Sequence, residues 1–101
     1  MSDLYTWGGK YVGFVVNGNL FDRNGSYRGW IEGDGKAWDD QGRYLGSLVE
    51  GNYIMRSQMA VPPIPRIPRI PPIPPIPQMP RMNRIGRIPK LGYDDALEHF
   101  A

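Results

Sequence analysis

A stripe of apolar residues recurs at every third position from Val61 through Ile64, Ile67, Ile70, Ile73, Ile76, Met79, Met82, Ile85 and Ile88 to Leu91, without a miss. A period of three suits neither an α-helix nor a β-strand. It suits polyproline II, which turns once in three residues, and most residues that follow a stripe position are proline. Collagen is excluded, because its axis admits only glycine at every third position. The arm thus reads as three faces: one aliphatic, one mostly proline, and one carrying Arg66, Arg69, Arg81, Arg84, Arg87 and Lys90.

At about 3.1 Å per residue, residues 61–90 would span about 90 Å if straight. A globule formed by the preceding residues would be only about 25 Å across. One small domain cannot shelter such a stripe. Either the arm bends, at Asn83 or Gly86, or other chains cover it. Left in water, the stripe is an aggregation hazard, so the expectation is that its aliphatic face is the face received by protein.

The rest of the chain differs in kind. All 11 prolines lie at or after Pro62, whereas most of the 13 glycines lie between Gly8 and Gly51. The N-terminal part aligns with itself in three units: Gly9-Lys-Tyr11-Val-Gly13, Gly25-Ser-Tyr27-Arg-Gly29 and Gly42-Arg-Tyr44-Leu-Gly46. Each continues into an apolar run, a glycine turn and a second short run. Leu4-Tyr5 matches the second runs Leu20-Phe21, Ala37-Trp38 and Tyr53-Ile54, so the chain opens on the second half of a missing unit.

Asn17-Gly18 and Glu50-Gly51 are two-residue hairpin signals. Asp22-Arg-Asn-Gly25 and Asp39-Asp-Gln-Gly42 suit tight turns closed by glycine. The reading is an all-β antiparallel meander of about seven strands, from three and a half hairpin repeats, with an extended polyproline II arm. Strands are expected near 3–6, 10–16, 19–22, 26–32, 36–39, 43–49 and 52–56. The domain limits read as 1–57 for the hairpin repeats, 58–92 for the arm, and 93–101 for a short helix or tail. Period-two reading puts Tyr11/Gly13/Val15, Tyr27/Gly29/Ile31 and Tyr44/Gly46/Leu48 on one uniform face, expected to be the core. The central glycine would leave room for Phe21, Trp38 or Tyr5.

These motifs resemble the bacterial family called the 4-fold beta flower protein, over about residues 3–56 and outside the arm. The resemblance implies a small all-β unit with fourfold organisation, and no catalytic or binding residues. The fourfold character could come from four hairpins or from four chains. The missing half unit, and the open sheet edge it leaves, lean towards a homo-oligomer, with a tetramer favoured.

No chemistry-bearing constellation is visible. There is no cysteine, and the single histidine, His99, lies near the end. No metal-ligand spacing or cofactor motif appears, and an enzyme is not expected. No signal peptide or membrane-spanning run is present, which points to a cytoplasmic protein. The net charge of +2 hides a basic arm with no acid between 61 and 90. Nucleic acid is nevertheless an unlikely partner, because the aromatics sit in the head and do not interleave with the arginines. Trp7, Trp30 and Trp38 offer an alternative, an aromatic surface for a ligand such as a glycan. Tyr93, Leu97 and Phe100 would share one side of a short helix capped by Asp94 or Asp95, forming an anchor for the far end of the arm. The leading expectation is a non-enzymatic structural or interaction module whose arm packs on sister chains or on a protein partner.

Overall fold

The computed structural model describes residues 2–59, 61, 63–72, 82–88 and 90–100. The stripe positions Ile73, Ile76 and Met79, and Arg81 of the basic face, lie outside the described residues, as does the side chain of His99. The fold is one antiparallel meander of eight strands in chain order. The strands are β1 (Ser2–Tyr5), β2 (Tyr11–Val16), β3 (Asn19–Asp22), β4 (Tyr27–Ile31), β5 (Lys36–Asp39), β6 (Tyr44–Val49), β7 (Tyr53–Ser57) and β8 (Tyr93–Asp95). A 3-10 helix, Ala96–Phe100, closes the described chain.

The turns follow from local chemistry. Asn17 and Gly18 take φ of 51° and 77°, and Glu50 and Gly51 take 54° and 77°, the positive pair that a type I′ hairpin demands. The links between hairpins are held by side chains. Asp22 Oδ1 accepts from the Asn24 and Ser26 amides, and Asp39 Oδ1 accepts from those of Gln41 and Arg43. Thr6 Oγ1 does the same for Lys10 in the first link.

The Tyr-x-Gly signature encodes a β-bulge. Tyr5 pairs with Tyr11 and Leu4 with Gly13, leaving Val12 as an extra residue. The same step leaves out Arg28 between β3 and β4 and Leu45 between β5 and β6. A bulge bends its strand and breaks the two-residue alternation. The expected uniform core face is therefore split. Tyr11, Tyr27 and Tyr44 turn to one side, edge-on to Tyr5, Phe21 and Trp38 with ring centroids 5.9, 6.1 and 5.6 Å apart. Val15, Ile31 and Leu48 turn to the other, packing on a cluster of Leu4, Val12, Leu20, Ala37 and Ile54. The space over each glycine is filled by backbone rather than by a ring: a Cβ at Gly13 would collide with the Phe21 carbonyl, and one at Gly29 with that of Trp38.

The chain's two ends complete the head. β8 pairs with β7 through Met55↔Asp95, Arg56↔Asp94 and Ser57↔Tyr93, the place of the long strand of a fourth unit whose second half is β1. Asp95 Oδ2 accepts from the Trp7 amide at 2.5 Å, and its Oδ1 accepts from Leu97 N at 3.0 Å. On the far side, Tyr5 N donates to the Asn52 carbonyl at 2.9 Å. All four units thus come from one chain, which removes the argument for four chains that the missing half unit supplied. The segment 93–101, expected as a helix or tail, begins as a strand and continues as a 3-10 helix. Its Leu97 is fully buried and its Phe100 7% exposed, both in the aliphatic core. Tyr93 does not share that side and is 40% exposed.

Candidate interaction surface

The face of the sheet opposite the aliphatic core is aromatic. Phe14 stacks on Phe21 and Trp30 on Trp38, while Trp7 meets Tyr53 edge-on. Aromatic faces are electron-rich and attract guanidinium groups, and the arm supplies them. Arg66 lies over Trp38 at 4.9 Å and Arg69 over Trp30 at 4.6 Å. Further along, Arg84 lies over Tyr5 at 4.1 Å and Arg87 over Trp7 at 5.1 Å.

The first pair of arginines, three residues apart, shares one acid, and the second pair divides between an acid and neutral acceptors. Glu32 holds Arg66 at 3.1 Å and Arg69 at 3.8 Å. Glu50 pairs with Arg87, while Arg84 donates to Asn52 and to the Tyr53 hydroxyl. The last bond helps to raise the Arg84 pKa above its ordinary value. For Arg66 and Arg69, whose heads stay about half exposed, each ring contact is worth about 0.5–1 kcal/mol.

The backbone turns the same edge inward. Arg66 N donates to the Gly42 carbonyl at 2.7 Å, Arg84 N to Gly9 at 2.6 Å, and Arg87 N to Trp7 at 3.1 Å. Gly42 and Gly9 close the links between hairpins at φ of 82° and 97°, and a Cβ on either would run into the arm's carbonyls. The two departures from the Ile-Pro-x pattern have contacts to explain them. Asn83 Oδ1 accepts from Tyr11 N at 2.9 Å, and Gly86 passes so close to Gly8 that a Cβ would sit 2.8 Å from its carbonyl oxygen.

The described chain measures 37 × 35 × 20 Å, so the arm curls over the head and is not the long straight rod that its length alone would allow. It also meets the head by the opposite edge from the one expected. The aliphatic stripe faces outward, with exposure from 86% at Ile64 to 94% at Ile70 and Ile85; Val61, Ile67, Met82, Ile88 and Leu91 fall between. The chain's own head receives the arginines, because that edge carries both the guanidinium groups and the amides that proline lacks.

The tryptophans are committed internally. Trp30 and Trp38 are 1% and 0% exposed, and the Trp7 indole N–H donates to the Ile88 carbonyl at 2.7 Å. A cleft of about 430 Å³ opens near Phe100, but two arginines on its rim are engaged, Arg43 with Asp39 and Arg28 with Asp22. Among the described residues no group of three His, Cys, Asp or Glu could hold a metal, and no helix is long and apolar enough to cross a membrane. Glu32, Glu50, Asn83 and Gly86 were not singled out as contacts from sequence. The usable signal was in Asn83 and Gly86, two breaks in an otherwise regular triplet.

An eight-stranded antiparallel meander with a β-bulge at three of its strand pairings defines a small all-β protein. The chain belongs to the 4-fold beta flower protein family, whose model matches residues 1–91. That match extends well past residue 56 and takes in the arm, which is therefore part of the family pattern rather than an addition to it. No curated protein and no solved structure matches the chain.

Proposed function

We propose that this protein is a non-enzymatic structural and protein-interaction module that displays an aliphatic ridge. The observation that carries the reading is the way the arm is held. Its arginine edge is tied to the head by rings, acids and backbone hydrogen bonds, so its apolar edge is presented outward in a fixed register. A linker that merely spanned a gap would have no reason to keep eleven stripe positions in phase. Exposed apolar surface of this extent marks a contact with protein. The basic arm gives weaker support to nucleic acid, since four of its arginines face the head.

A photo-reactive residue at position 67 in the native host tests the reading, with one at position 34, in an exposed turn of the head, as control. Position 67 is expected to form protein adducts and position 34 to form none. If position 67 cross-links no more than the control, the ridge is not a docking surface.

A further inference from the structure

Three properties of the ridge narrow down what covers it. The first is distribution. Among the described residues, every exposed large apolar side chain except Met59 and Tyr93 lies on the stripe. The head offers no second apolar patch, so contact between copies has only the ridge to use on both sides. That is the self-complementary, two-fold arrangement in which one patch meets itself.

The second property is period. In polyproline II winding, which the triplet period implies, ridge residues three apart would stand about 9 Å from each other. Side chains on a helix face repeat every 5.4 Å of rise, and those on a strand face about every 6.7 Å. Either would drift out of phase within a few residues. A ridge of the same period keeps every side chain opposite a gap along the whole contact.

The third is charge. Two arms carrying several arginines each would repel if those arginines met. Here Arg66, Arg69, Arg84 and Arg87 are turned to the head, with Glu32 and Glu50 beside them. The ridge itself is uncharged. Its size also suffices: an aliphatic side chain taken fully out of water covers on the order of 100 Å². The eight described ridge residues together offer on the order of 800 Å², the share one partner gives to a stable interface.

We infer that the occupant of the ridge is a second copy of this chain, seating its own ridge against it across a two-fold axis. The inference rests on the reading of the ridge as a docking surface and adds the identity of the partner. Sedimentation equilibrium on the full chain tests it. Two variants are compared with the unmodified protein. One carries Ile64→Glu, Ile67→Glu, Ile70→Glu, Ile85→Glu and Ile88→Glu; the other carries lysine at the same five positions. These side chains are exposed in the single chain, so the near-ultraviolet dichroism of Trp30 and Trp38 should be unchanged.

The unmodified chain is expected to sediment as two chains at micromolar concentration and each variant as one. An equal mixture of the variants should again give two chains. A single-chain mass for the unmodified protein overturns the inference, as does a variant that keeps the two-chain mass. A mixture that stays single-chain while the unmodified protein pairs places the second copy on another surface and also overturns it. The docking reading fails separately, when position 67 forms no adduct; an adduct with a different protein leaves that reading standing and removes the second copy.

Discussion

Gly29→Val is expected to remove a large part of the stability of this fold. Gly29 follows the bulged residue of the second hairpin at φ of 146°, and any Cβ there collides with the Trp38 carbonyl of the paired strand. A side chain in a sparsely populated backbone region costs about 1–3 kcal/mol, and forcing bulk into a filled space costs about as much again. The sum, about 2–6 kcal/mol, compares with a total of roughly 5–15 kcal/mol for a domain of this size. Urea unfolding followed by tryptophan fluorescence measures it. Gly33→Ala is the control: a Cβ there meets nothing, and its effect should stay within about 0.5 kcal/mol. Equal midpoints for the two variants would mean that the bulge and its close carbonyl are not features of the folded protein.

Leu97→Ala should produce the second large loss, about 2–5 kcal/mol, as for a fully buried leucine that leaves a cavity. Leu97 is inaccessible and packs among Leu4, Val12, Leu20 and Ile54, residues brought from four strands of the head. The midpoint of urea unfolding should fall with its slope unchanged, because the surface exposed on unfolding is nearly the same. An unchanged midpoint would make residues 96–100 a frayed end rather than a plug.

The two substitutions mark where the sequence was legible and where it was not. Hairpin turns were readable because Asn17-Gly18 and Glu50-Gly51 demand positive φ, and a turn of known length sets the register of its strands. All seven expected strands fall within one residue of their observed limits. The bulge was hidden because Tyr-x-Gly looks like simple alternation. Counting by two across it put Tyr27 and Ile31 on one face, when the extra Arg28 between them sends them to opposite faces. β8 was hidden for another reason: it has only three residues, two of them aspartates, so its pairing with β7 comes from position beside an open edge and not from an apolar pattern.

The arm was half legible. Its triplet period was plain, and so was its division into faces. Which face meets the head was not, because hydrophobic burial argues for isoleucine. Two facts outweigh it here. Arg66, Arg84 and Arg87 supply the backbone donors that reach Gly42, Gly9 and Trp7. The head's outer face is also a belt of rings whose flat surfaces suit guanidinium better than a branched aliphatic chain. The glycines at Gly9 and Gly42 looked like turn residues only; they also let the arm come within hydrogen-bonding distance.

The most direct test of this arrangement is which arm protons lie beside the buried indoles. Nuclear Overhauser spectra of the full chain should connect the Trp38 ring to the Arg66 side chain and the Trp30 ring to Arg69, with the arginine methylenes shifted upfield by the rings. The methyls of Ile64, Ile67 and Ile70 should show no such contacts. Contacts from those methyls to Trp30 or Trp38, with none from the arginines, would reverse the orientation of the arm and contradict the account.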